Sequence, residues 1–339
     1  MSKSYICVFD CETVPDTALL RRVYGYRGSD LDVCKSAFWD QKEASGSEFL
    51  PVMFHKVVAI SAVMADEFGR FLRVSTMKGE NEQEILAKFI NFINEYNPRL
   101  ISFNGRGFDL PMIMTRSMRY NLSCPAYFES DNKELNKNKW ENYRSRYDGR
   151  FHLDLLDHIS DFRAVSGLKL DTLCASLNLP GKYDIHGDQV MQLFFAGEIA
   201  KINEYCESDT LNTYWLFLKY ELLRGNLTKD DYASFLADMS EFLIQKCSQM
   251  GYTPVFCEAI EMELARLKGE LDYEIVAREF DEDEEDDNES ERIGIDELED
   301  HLAKSGLGGM VKKANEINLK AKNQPKFEER LPEINLDDE

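Results

Sequence analysis

The sequence predicts an α/β fold: one sheet flanked by helices, with a helical C-terminal extension and an acidic tail. Three observations carry this. Short apolar, β-rich runs bounded by turn residues open the chain. Runs and helical patterns of period near 3.6 alternate in the middle, and the pattern is helical from about residue 198 onward. With 339 residues, 43% apolar, including 21 Phe, 15 Tyr and 3 Trp, there is material for one large core or two small ones, which excludes a chain disordered throughout.

Taken in order, Tyr5 to Phe9 is a strand ending in an acid, Asp10. Lys56 to Ala65 and Phe71 to Thr76 flank Asp66-Glu67-Phe68-Gly69 and read as a hairpin. Asn81 followed by Glu84 is a capping-box-like start to a helix whose Ile85, Leu86, Phe89, Ile90 and Ile93 share one face and which ends by Asn97-Pro98. Arg99 to Phe103 is a further strand. A helix begins at Asp109, before Leu110-Pro111, and runs to about Tyr120. Residues 125–150, polar and interrupted, read as a long surface loop or hairpin. Phe151 to Leu155 is a strand, and short helices follow at Leu168 to Leu177 and Asp188 to Phe195. A long helix spans Glu198 to Leu223 and is closed by Gly225. Thr228 with Asp231 caps the next, and Phe256 to Phe280 is helical by composition.

The net charge of −22 is unevenly spread: fourteen acids and one base, Arg292, fall within residues 279–300, more than half of the excess. That stretch has too few apolar residues to fold and is expected to stay extended and solvated, with a short helix at Met310 to Lys322. A basic protein is the partner its charge would recruit; a solubilising linker is the default. The eight cysteines form no CxxC pair and no His-linked cluster, so neither zinc nor a disulfide framework is indicated. No apolar run approaches the roughly 20 residues that span a bilayer, and no signal-peptide pattern opens the chain. A cytoplasmic location without a membrane partner is expected.

Three places carry candidate chemistry. Asp10-Cys11-Glu12 puts two carboxylates on one side of an extended chain directly after a buried strand, where unpaired charge is expensive and a cation would relieve it; an acidic loop end is the alternative. Asn104-Gly105-Arg106-Gly107-Phe108-Asp109 is a glycine-rich turn between strand and helix, and Asp109 there also suits a simple N-cap. Tyr205 and Asp209, four apart on the long helix, share a face one turn apart; packing of Tyr205 with Asp209 in solvent is the alternative.

In chain order these read Asp-x-Glu after the first strand, Asn-x-x-x-Phe-Asp between strand and helix, and Tyr-x-x-x-Asp on a late helix. The combination resembles the DEDD superfamily of 3′-to-5′ exonucleases in its Tyr-containing branch, and most closely the predicted exonucleases related to the proofreading domain of family-B DNA polymerases. Phe151-His152-Leu153-Asp154-Leu155, Leu179-Pro180-Gly181-Lys182 and the run Glu204 to Tyr214 are similar to that family as well.

The resemblance covers about residues 4–225. It implies a ribonuclease H-like mixed sheet in an exonuclease domain of residues 1–225, followed by a helical extension at 226–280 and an acidic tail at 281–339. It further implies two divalent cations, Mg²⁺ or Mn²⁺, held by Asp10, Glu12, Asp109 and Asp209, with Tyr205 orienting the attacking water. Asn104 and Phe108 would contact the terminal nucleotides of a single-stranded 3′ end, DNA before RNA. Lys133, Lys137, Lys139, Arg144, Arg146 and Arg150, interleaved with Trp140, Tyr143 and Tyr147, could wall a strand groove or form a plain solvated loop. An exoribonuclease and a non-catalytic nucleic-acid-binding module are the competing readings.

Overall fold

The structure is a computed structural model, described here for residues 5–182 and 189–274, which lie in the compact unit Met1–Val276. The tail, with the helix expected at Met310 to Lys322, lies outside the described residues.

Five strands, β1 (Tyr5–Pro15), β2 (His55–Asp66), β3 (Phe71–Thr76), β4 (Arg99–Ser102) and β5 (His152–Asp154), form one sheet in the order β3-β2-β1-β4-β5. The hairpin pairs β2 and β3 antiparallel, β1 runs antiparallel to β2, and β4 and β5 lie parallel on its other side. This is the mixed sheet expected, flanked by helices on both faces.

Side-chain alternation along β1 sorts the core. Cys7, Phe9 and Cys11 pack with α3 (Glu82–Tyr96) and α4 (Asp109–Arg119), through Leu86, Phe89, Ile93 and Ile113. Ile6 and Val8 face the other layer, where α9 (Ile199–Leu223), α10 (Lys229–Lys246) and α11 (Tyr252–Leu267) contribute Trp215, Leu218, Tyr232, Leu236 and Phe256. The last two helices thus share the main core. Trp215 donates its indole N–H to the Tyr232 hydroxyl at 2.7 Å, and that hydroxyl donates to Glu263 at 3.0 Å, so these three buried polar groups satisfy one another.

Several boundaries differ from expectation for identifiable reasons. β1 does not stop at Phe9: antiparallel pairing with β2 carries it to Pro15, with an irregularity between Glu12 and Thr13, so Asp10 and Glu12 lie within the strand. Two helices stand between β1 and β2, α1 (Thr17–Tyr24) and α2 (Asp30–Ser45), where the sequence reading assigned no element. β5 is short because Asp154 caps the turn of helix α6 (Leu155–Ile159) that follows. The 125–150 segment begins with one helical turn, α5 (Pro125–Phe128), and continues through turns with isolated bridges Asn132–Lys137 and Asn138–Glu141. Helices α7 (Leu170–Ser176) and α8 (Val190–Ala196) follow the expected short patterns; the Asp188 start lies outside the described residues. α11 begins at Tyr252, earlier than Phe256, and ends at Leu267.

Candidate active site

Beyond Val8, β1 has left its parallel neighbour β4 and keeps only β2 beside it. Asp10 and Glu12 lie on this freed stretch. They continue the face of Ile6 and Val8 toward α9, and both keep part of their surface exposed. One ligand atom each from Asp10, Glu12 and the Cys206 thiol lie within 4.8 Å of one another.

Asp109 arrives from α4. The loop leading to it turns on two glycines: Gly105 has no room for a side chain, since a Cβ there would sit 2.3 Å from the Ser102 hydroxyl oxygen, and a Cβ on Gly107 would sit 2.6 Å from Asn104 Oδ1 and push that side chain aside. Asn104 takes a left-handed φ of 65°. Buried Asp154 at the end of β5 fastens the loop, accepting the backbone N–H groups of Asn104 at 3.0 Å and Arg106 at 2.8 Å. Asp109 is the first residue of the helix, with Phe108 at the capping position, so it is not the N-cap; its Oδ1 accepts from the Cys11 thiol at 2.7 Å instead.

Asp209 comes from α9, one turn after Tyr205, and the two side chains are hydrogen-bonded. Tyr205 is buried against Val14, Val58 and Ile202, and Asp209 is half-buried, so neither drifts into solvent. Asp10, Asp109 and Asp209 line one pocket of about 370 Å³ together with Asn104, Phe108 and Lys182. Glu12 stands beside it, joined by charge to Asp109, Asp209 and Lys182.

The electrostatics follow from crowding like charges in a partly dry site. Burial, then the charges of Asp109, Glu12 and Asp209, push the Asp10 carboxyl well above its ordinary range. Burial and Asp209 do the same to Glu12. Asp109 and Asp209 are each raised by burial to about 6, the latter held down in part by Lys182 and by the Tyr205 hydrogen bond. The Tyr205 hydroxyl is pushed up by burial and by Asp209, Glu12 and Asp10, so it is a proton donor throughout the neutral range. Burial also raises the Cys11 and Cys206 thiols, which stay protonated, leaving the carboxylate oxygens as the donors that could hold a cation. An all-oxygen set suits hard divalent ions and fits poorly with zinc.

The two expected substrate contacts are also at the pocket. Asn104 accepts from Arg163 Nη2 at 2.6 Å. Phe108 is half-buried against Phe49 and His55, with ring centroids 5.3 and 5.1 Å away. Lys182, 3.0 Å from Asp171, the two cysteines and Phe49 were not assigned roles from sequence. Only Lys182 carried a signal there, inside the Leu-Pro-Gly-Lys run.

Acids and tyrosine from β1, α4 and α9 thus come together at one place, and comparison with known proteins gives the chain's family. Residues 47–260 match the model of a family described as predicted 3′-5′ exonucleases related to the exonuclease domain of family-B DNA polymerase, and the chain belongs to that family. The match takes in Asn104, Phe108, Asp109, Tyr205 and Asp209; Asp10 and Glu12 precede it and join them through the fold. The chain is also 25% identical over 136 residues to the DNA polymerase of Archaeoglobus fulgidus, covering 40% of this chain and 17% of the polymerase. It is 25% identical over 149 residues to the DNA polymerase catalytic subunit of Elephantid herpesvirus 1 (41% and 14%), and 21% identical over 152 residues to the DNA polymerase of Thermococcus aggregans (44% and 8%). The matched stretch therefore spans less than a fifth of each relative. Among the described residues no helix is long and apolar enough to cross a membrane.

Proposed function

We propose that the protein is a metal-dependent 3′-5′ exonuclease that removes nucleotides from the 3′ end of single-stranded nucleic acid, DNA in preference to RNA. The observation that carries this reading is the meeting of acids from three distant segments: Asp10 on β1, Asp109 on α4 and Asp209 on α9 line one pocket, Glu12 on β1 stands beside it, and the other three raise the proton affinity of Asp10. So much negative charge beside a polyanionic substrate is sensible only with cations present. Those four residues would hold Mg²⁺ or Mn²⁺, and a bound pair of such ions supplies the positive charge that acidifies the attacking water and steadies the leaving oxygen.

The chain's own groups do the rest. Tyr205, fixed by its bond to Asp209 and kept protonated, orients the water rather than taking its proton. Asn104 and Phe108 stand where the terminal sugar and base would lie, and Asp154 keeps their loop in register. Water adds to the terminal phosphorus, the bond to the 3′ oxygen of the preceding nucleotide breaks, and a nucleoside 5′-monophosphate leaves as that oxygen gains a proton. The preference for DNA rests on the relatives being DNA polymerases by name.

The test uses 5′-labelled single strands with a free or a blocked 3′ terminus, as matched DNA and RNA. Stepwise shortening of the free-ended DNA in Mg²⁺ or Mn²⁺, abolished by EDTA and by the 3′ block, is the expected result. Internal cuts in the blocked strand, or faster loss of RNA, would overturn the polarity or the substrate respectively.

A further inference from the structure

We propose that the surface built by residues 128–150 is the track on which the strand lies as it leaves the active site in the 5′ direction; this deepens the exonuclease reading and rests on it. Three large rings stand in water here, Trp140 and Tyr147 at 72% exposure and Phe128 at 52%. Each has a cation beside it. Lys139 Nζ lies 4.8 Å from the Trp140 ring centroid, the Arg144 guanidinium 5.7 Å from that of Phe128, and Arg146 neighbours Tyr147. Together with Arg150 they line a concavity of about 700 Å³. Aromatic faces interleaved with cations match the two repeating features of a single strand, stackable bases and phosphates.

The acids that line the concavity, Glu141 and Asp148, have a cation beside them: both pair with Arg150, and Asp157 nearby pairs with Arg146 and Arg163. Lys139 and Arg144 make no ion pair among the described residues and remain for phosphates.

The rings rest on a fixed base, unlike those of a plain solvated loop. Lys137 turns inward, donating to the Ala126 carbonyl at 2.7 Å and pairing with Glu129, and buried Tyr143 donates to the Pro98 carbonyl at 2.6 Å. The surface is also continuous with the pocket. Arg106, on the loop that carries Asn104 and Asp109, donates to the backbone carbonyls of Tyr143, Arg144 and Ser145. The Tyr147 ring packs 4.6 Å from Phe162, whose neighbour Arg163 holds Asn104. A strand leaving the pocket past Asn104 therefore meets Tyr147 and then the rest of the basic-aromatic surface.

The experiment measures binding of fluorescent oligo-dT by anisotropy, using the full chain with Asp10→Asn to block hydrolysis. Strands of about four and about fifteen nucleotides fall short of and cover a track of this kind. Trp140→Ala and Tyr147→Ala are each expected to weaken the longer strand about tenfold and so remove most of its advantage over the shorter. Lys139→Ala with Arg144→Ala should flatten the salt dependence. Trp39→Ala, which removes an equally exposed ring on α2, should bind as the parent does. The proposal is overturned if the ring variants bind the longer strand as the parent does, if they lose the two lengths equally, or if the parent binds neither. A wild-type protein that binds along the track but shortens no strand would sink the nuclease reading and leave the track. One that shortens strands while the ring variants bind normally would sink the track alone.

Discussion

At the scale of the residue, the site is a set of carboxylates placed against their own interest. Asp10 and Glu12 repel each other on one strand face, and Asp109 and Asp209 close on them from helices belonging to opposite layers of the core. Small groups make this tolerable in specific ways. The Cys11 thiol hydrogen-bonds Asp109, Lys182 offsets Asp209 and Glu12, and Tyr205 donates to Asp209. Because Tyr205 is pushed up and holds its proton, the role proposed for it is positional, and Tyr205→Phe should lower kcat by roughly 10- to 100-fold with little change in KM. The pH-rate profile of that variant should keep the shape of the wild type's; loss of a basic limb would show that Tyr205 does move a proton. These interactions are invisible to spacing. Asp-x-Glu and Tyr-x-x-x-Asp can be read from sequence, but Cys11 and Cys206 look like ordinary small hydrophobes until the fold sets them beside carboxylates.

At the scale of the element, the site depends on how α4 is anchored. Arg116 on α4 is buried and bridges Asp16 at 2.6 Å, just after β1, and Glu82 at the start of α3. Glu82 also accepts the Val57 N–H of β2 at 2.8 Å, so one guanidinium ties together β1, β2, α3 and α4. Arg116→Ala leaves two buried carboxylates without their partner and should destabilise the fold by about 3–5 kcal/mol in denaturant titrations. A loss under 1 kcal/mol would mean that water replaces the guanidinium at little penalty. Most elements were legible in the sequence because each has a strong local cause, such as the Ile85-to-Ile93 stripe of α3 or the capping pair Thr228 and Asp231 of α10. Helix α2 was not, because only Val33, Cys34 and Ala37 of its sixteen residues are buried and hydrophobic periodicity is nearly silent. Its signal lies in the caps, a Ser29–Asp32 capping box and left-handed Gly46. The far end of β1 was equally hidden. Acids in a strand look like its end, and only the antiparallel partner β2 keeps Asp10 and Glu12 extended.

At the scale of the whole molecule, crowding these carboxylates costs stability, and pH and metal should reveal it. Asp109 and Asp209 have folded values of about 6, above the ordinary 3.8, so their contribution to stability is fully present below the ordinary value and lost as pH rises through 6. His55, His152 and His158 are lowered by burial and act with the opposite sign through the same range. Asp16 and Asp157, lowered by their arginines, stay ionised there. Asp10 and Glu12, also raised, act with the same sign as Asp209 and are eased when its charge is removed: in chelator, Asp209→Asn should melt higher than wild type at pH 8, with the gap narrowing toward pH 5. A gap that widens toward pH 5 would reverse the sign assigned to Asp209.

The most direct measurement is the rise in melting temperature on adding Mn²⁺ to chelator-treated protein at pH 7.5, in wild type, Asp10→Asn and Asp209→Asn. If β1, α4 and α9 build one cation site, saturating Mn²⁺ should stabilise the wild type by about 2.7 kcal/mol at a hundredfold excess over Kd, several degrees for a protein of this size. Either single variant should lose most of that shift. Rises of equal size in all three proteins would place the bound ions elsewhere and contradict the shared site.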